Sequence, residues 1–225
     1  MKKLSIAFIL LSFLGLNAQA DVSVGLKLTA SNMKADGSET QNSGALVNQK
    51  EREADFQVGS LFAEKALDVA DFDLSVGLEV IPATTEVAVI GGGTGFDATV
   101  SVGNLVTAYI QPMLVSNGNA TLYLKAGYAM ADLEITNITR QSTATAVSTG
   151  AASDAASTDG NTTKSLEGPM IGIGVQIAVD NFVDSIRLEA THHDFDEISH
   201  INSNSKTLKA DASMDSLSIG FVKSF

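Results

Sequence analysis

Residues 215–225 read DSLSIGFVKSF. Counting back in twos from the terminal residue gives Phe225, Lys223, Phe221, Ile219 and Leu217, and the other phase gives Ser224, Val222, Gly220, Ser218 and Ser216. A period of two is that of a β-strand, whose successive side chains point to opposite faces. One face here is greasy and the other small or polar, so the two faces meet different surroundings.

The same alternation recurs at Val22–Ala30, Ala54–Phe62, Phe72–Val80, Thr121–Leu133, Met170–Val179 and Ser185–His192, with an eighth stretch, Ala98–Val115, apolar in both phases. Eight strands is an even count. The links between them alternate in length. Short ones fall around Glu64–Asp71, Ser116–Asn119 and Asp180–Asp184; long ones are expected at Ser31–Glu53, Pro82–Asp97, Thr136–Glu167 and Asp194–Ala212. Tight turns at one end and long loops at the other is the layout of an antiparallel up-and-down barrel. The three prolines fit: Pro82 follows the third strand, Pro169 opens the sixth, and Pro112 lies near the short-turn end of the fourth, where a missing N–H costs least.

Residues 1–20 carry Lys2 and Lys3, an apolar run from Leu4 to Leu16 and a closing Ala18-Gln19-Ala20. That is the pattern of a signal peptide, too short to span a membrane as a helix. Residues 21–225 then form one β-barrel domain. The whole chain has a formal net charge of -12, and loss of the two leader lysines makes it -14. So acidic a surface argues against nucleic acid as a partner. Cysteine is absent, so neither disulfides nor thiolate metal sites are available. Beyond the leader no run of about 18 apolar residues occurs, so any membrane crossing is made by strands.

A soluble β-sandwich also alternates. Against it, the phase opposite the apolar one is rich in Gly, Ala and Ser with a few charges, which suits the narrow inside of an eight-stranded barrel. A strand running to the last residue also provides a partner for the first, as the edge-free requirement of hydrocarbon demands.

With these features in place the chain resembles the small eight-stranded outer-membrane β-barrel proteins of Gram-negative bacteria, the OmpX-like and opacity-type group. The resemblance rests on Phe225, on Gly220 in the last strand and on LYLKAGYA at 122–129. It implies an outer-membrane location, contact with outer-membrane lipids, and recognition of the final strand by the barrel-assembly machinery through Gly220, Phe221 and Phe225. Where that group has a penultimate aromatic this chain has Lys223, which can only snorkel. With no Trp, the aromatic girdles are thin; Phe62, Phe72, Phe182 and Phe225 are expected to form a partial lower belt.

Glu79, Lys125, Arg187 and Glu189 fall in the lumen phase. Opposite charges in so narrow a space are expected to pair and plug it, since an unpaired one is costly there. A narrow pore is the alternative. THHDFDEISH, 191–200, gathers the histidines with Asp194, Asp196 and Glu197. It is read as a solvated rim, the alternatives being a divalent-cation site or, through His192 or His193, part of a lipid hydrolase or acyltransferase. GGGTG, 91–95, lacks the Lys and Ser/Thr of a phosphate loop and is read as a loop hinge. No cofactor or metal is expected. The reading is a monomeric barrel with a structural or surface-interaction role, its partners met by four extracellular loops, with a soluble exported adhesin as the third possibility.

Overall fold

The computed structural model describes residues 22–40, 44, 46–69, 72–90, 96–140, 162–179, 182–201 and 207–225. The leader at 1–20, the GGGTG segment and most of the 141–164 tract lie outside them. Among the described residues nine strands are present: β1 Val22–Thr40, β2 Leu46–Val69, β3 Phe72–Ile81, β4 Thr85–Ile90, β5 Phe96–Asn117, β6 Ala120–Arg140, β7 Thr162–Ala178, β8 Ser185–Ile201 and β9 Thr207–Ser224. All pairings are antiparallel, and β3 closes the ring onto β5. The staves number eight because β3 and β4 are one stave broken at Pro82-Ala83-Thr84.

Register fixes the shape. A path across neighbouring strands runs from Val22 through Lys65, Val76, Ile110, Ala126, Ile171, His192 and Asp215 to Asn32. It returns to β1 ten residues on, from 22 to 32, which is the shear of the barrel. Eight staves with that shear tilt by about 40° and enclose a backbone radius of about 8 Å, room for side chains and little else. Each residue then rises about 2.5 Å along the axis.

The outward phase is lipid-facing. Leu26, Leu28, Leu61, Ile110, Leu124, Ile171, Ile173, Leu188, Leu217 and Phe221 are all exposed. On β1 and β9 this apolar phase lasts about nine residues, giving a belt of roughly 22 Å, close to the band of a membrane barrel. A closed ring with such a belt spans a membrane as strands, since no edge is left unpaired in hydrocarbon. Lys223 lies at the lower edge and pairs with Asp184 in the β7–β8 turn at 2.7 Å. The long side chain thus reaches the polar turn, as snorkelling requires.

Three expectations are corrected. Two of the four stretches read as long loops, 31–53 and 194–212, are largely strand: β1 runs on to Thr40, β2 starts at Leu46, β8 reaches Ile201 and β9 starts at Thr207. Water covers their outer face above the belt, so their alternation loses its apolar phase while the ladder continues. Glu64, read as part of a turn, lies inside β2. Pro169, read as opening a strand, lies in the middle of β7, opposite Tyr128.

Pro82 and Pro169 mark two seams. Among the described residues β2 pairs with β3 only over Leu61–Val69, and β4, beyond Pro82, pairs with β5 alone. β7 pairs with β8 only from Met170 to Ala178, so its ladder to β8 begins just after Pro169. Proline cannot donate to a ladder, and pairing stops on its N–H side. Above both seams the wall divides into two leaves of four strands, β2–β1–β9–β8 and β4–β5–β6–β7. Between them lies an apolar core with Met33, Phe195 and Met214 from one leaf and Val102, Leu105 and Leu166 from the other.

Candidate functional site

Below that core the lumen holds six charges. Lys27 of β1, Glu79 of β3, Lys125 of β6 and Glu189 of β8 form a closed ring of alternating sign. Lys27 Nζ donates to Glu79 Oε2 at 2.8 Å and to Glu189 Oε1. Lys125 Nζ donates to Glu79 Oε2 at 3.0 Å and to the two oxygens of Glu189 at 3.2 and 3.3 Å. The four are between 2% and 8% exposed. Ser60 Oγ donates to Glu79 Oε1 at 2.7 Å, the one oxygen the lysines leave, and Tyr123 OH adds a further bond to Glu189 Oε2 at 3.1 Å. Such satisfaction is the condition under which charges tolerate a low-dielectric space.

A second pair lies nearer the periplasmic end. Arg187 grips Glu64 with two parallel hydrogen bonds of 2.6 and 2.7 Å, the fork geometry that guanidinium favours. Its Nε donates to Gln176 Oε1 at 2.8 Å, and Tyr109 OH donates to Glu64 Oε1 at 2.7 Å. Three cations and three anions balance. Aromatic faces fill the rest: Lys125 Nζ sits 3.8 Å from the centre of the Tyr109 ring, and the Arg187 guanidinium lies over Phe62 and Tyr123 at 5.2 and 5.6 Å.

The lumen-facing glycines make this packing possible. A Cβ on Gly77 would lie 2.5 Å from the Tyr109 ring, on Gly174 2.3 Å from the Tyr123 ring, and on Gly25 2.3 Å from the Phe62 ring. Gly220 faces inward between Lys27 and Arg187, opposite both in register. Between the ring and the apolar core remains a cavity of about 20 Å³, lined by Lys27, Glu79, Lys125, Glu189, Thr191 and His193 among others. It is the size of a single water molecule.

Of the residues expected in the lumen, Glu79, Lys125, Arg187 and Glu189 are all there and all paired. Lys125 meets both candidate partners rather than one. Lys27 and Glu64 were missed. Lys27 carries the same lumen phase as the others and was legible from it; Glu64 was hidden by its placement in a turn. Phe62 is corrected from lower belt to lumen, since it is 4% exposed. The alternation of β2 misleads there because Phe56, Val58 and Phe62 face inward and the outward phase holds Gln57 and Gly59. Phe182 and Phe225 are exposed at the lower end, at 94% and 73%, and the Phe72 side chain lies outside those described. Phe221 faces outward in the belt, 38% exposed.

The histidines part company. His192 faces outward and its Nδ1 lies 2.7 Å from Asp215 Oδ1, at the upper edge of the belt. His193, next in the strand, faces inward, stacks on Phe195 at 5.8 Å, and its buried Nδ1 has no hydrogen-bond partner. Adjacent strand residues cannot converge on one ion. Among the described residues no group of three or more His, Asp or Glu is placed to hold a metal. No helix among them is long and apolar enough to cross a membrane.

No family model matches the chain, and no curated protein matches it. Solved structures do. The outer membrane protease OmpT from Escherichia coli aligns at 9% identity, covering 92% of this chain and 99% of that one, with a TM-score of 0.49. Ail, the attachment invasion locus protein of Yersinia pestis, aligns at 12% identity over 88% and 98%, with a TM-score of 0.34. Neisserial surface protein A aligns at 11% over 86% and 96%, with a TM-score of 0.38.

Proposed function

We propose that this outer-membrane β-barrel protein is a non-conducting carrier, whose task is to hold an acidic two-leaf turret and its loops outside the cell, where a surface partner is met. The carrying observation is the filled lumen. Four charges satisfied by one another, at most 8% exposed, occupy the ring at the height of the belt, and an apolar core lies above them. With the interior so occupied, the outer surface is what the protein offers to others. There Asp36, Glu51, Asp55 and Asp211 are exposed on one leaf, with Lys34 and Lys209 already paired to Glu53 and Glu197. The role is contact rather than catalysis, and the barrel acts as a single copy.

Biogenesis belongs to the same reading. The assembly machinery takes Gly220, Phe221 and Phe225 as its signal, and the outward placement of both phenylalanines supports their being readable before closure. The test of the sealed interior is conductance. Purified barrel added to planar bilayers should pass no more current than lipid alone. Discrete current steps from the unmodified protein would overturn the sealed reading and make it a pore.

A further inference from the structure

The lipid-facing surface is not uniform. On β2, β3, β5 and β6 a groove of about 590 Å³ is lined by Lys65, Val76, Leu78, Ala108, Ile110, Ala126 and Tyr128. Its floor is the row Gly77, Tyr109 and Gly127, where nothing projects outward. The Tyr109 side chain points into the lumen, and its ring forbids a side chain on Gly77 from within. Ala108 and Ala126 keep the walls low beside this floor.

The groove has a polar foot. Lys65 pairs with Val22, the first residue of β1, at the periplasmic edge of the belt, and the row Lys65, Val76, Ile110 and Ala126 climbs from it by about 3 Å per strand. Of the two outward lysines at this edge, Lys223 is neutralised by Asp184, whereas Lys65 has no ion-pair or hydrogen-bond partner among the described residues. An unpaired cation below an apolar groove spanning three strand spacings, about 14 Å, is complementary to one kind of molecule. That molecule has an anionic head and an alkyl chain.

We infer that this groove is a binding site for one anionic phospholipid of the periplasm-facing leaflet, with its phosphate on Lys65 and an acyl chain lying along Gly77, Tyr109 and Gly127. The volume falls within the range of small-molecule sites, and the rim geometry sets the head at headgroup depth. The site rests on the membrane reading but not on the sealed lumen.

The experiment is native mass spectrometry of the full chain refolded in detergent and titrated with phosphatidylglycerol or phosphatidylcholine. One phosphatidylglycerol should be retained per barrel, in preference to phosphatidylcholine. Lys65→Glu should weaken retention by at least about fivefold, the factor of one lysine at an anionic lipid surface, and Lys65→Arg should keep it. Ala126→Phe, which fills the groove, should lose the lipid while Lys65 remains. If Ala126→Phe does not fold, Ala126→Leu replaces it. Equal retention of both lipids by all variants means annular lipid only and overturns the site. Failure of the unmodified chain to fold in any lipid or detergent would instead strike the membrane reading itself.

Discussion

Replacing Lys125 with Met tests the charge ring most directly. The change removes hydrogen bonds of 3.0 Å to Glu79 and of 3.2 and 3.3 Å to Glu189, while methionine keeps an apolar contact with the Tyr109 ring. One unit of negative charge is left uncompensated in a space that is 2% exposed at Lys125 and Glu189. Breaking a buried pair from one side costs about 3 to 5 kcal/mol. Lys27 still bridges both carboxylates, so the lower figure, about 3 kcal/mol, is expected. Because both glutamates share both lysines, Lys125→Met with Glu79→Gln and Lys125→Met with Glu189→Gln should each recover to within about 1 kcal/mol of the parent. The chain has no Trp, so unfolding in urea within lipid vesicles would be followed by heat-shifted gel mobility and far-UV circular dichroism. A single Lys125→Met variant as stable as the parent would mean a hydrated lumen. Recovery in only one double variant would mean that the ring is not shared.

Three further outcomes are expected. Deleting Phe225 should block assembly, seen as periplasmic accumulation and degradation in pulse labelling; normal surface levels would count against the signal reading. Gly174→Val sets a Cβ 2.3 Å from the Tyr123 ring and should destabilise the barrel by about 1 to 3 kcal/mol, with Tyr123→Leu in the same chain restoring most of it, as read by the urea midpoint. At the periplasmic rim the Asp184 carboxylate is held below its usual range by the Lys223 ammonium and by the Ser224 N–H. Its hold on the last strand is therefore full above the ordinary Asp value of about 3.9 and is released only as pH falls through a lower one. The Ser224 amide resonance should titrate there, and Asp184→Asn should abolish the titration.

How much of this was legible depends on contrast between the two faces of a strand. Where one face meets lipid and the other a crowded lumen, as in Phe72–Val80 and Thr121–Leu133, alternation located the strands and put Glu79, Lys125, Arg187 and Glu189 inside. Above the belt both faces of Asn32–Thr40 and Leu46–Asp55 are polar or mixed, and length of strand became invisible although the ladder persists. In β2 the contrast inverts, because Phe62 fills the hollow over Gly25, and an aromatic in the lumen looks like one in lipid. The ring itself was not legible. Membership of a lumen is a local property, but which charges share a level follows from the shear, which only the complete register supplies.

The two proline seams give the protein a mechanical grain. Below them it is a hooped cylinder, closed by an uninterrupted β1–β9 ladder from Ser23 to Thr40 that carries on into one leaf. Above them it is a pair of jaws. Each jaw is stiff along its own hydrogen bonds, but among the described residues no ladder joins the two; they meet through Met33, Phe195 and Met214 against Leu105 and Leu166, and through one side-chain hydrogen bond of 3.2 Å from Tyr128 OH to Asp196 Oδ2. A tug on the exposed end is therefore taken up by the jaws parting. Below Pro82 and Pro169 the parting meets ladders that close all the way round, and the charged seal lies within that closed part.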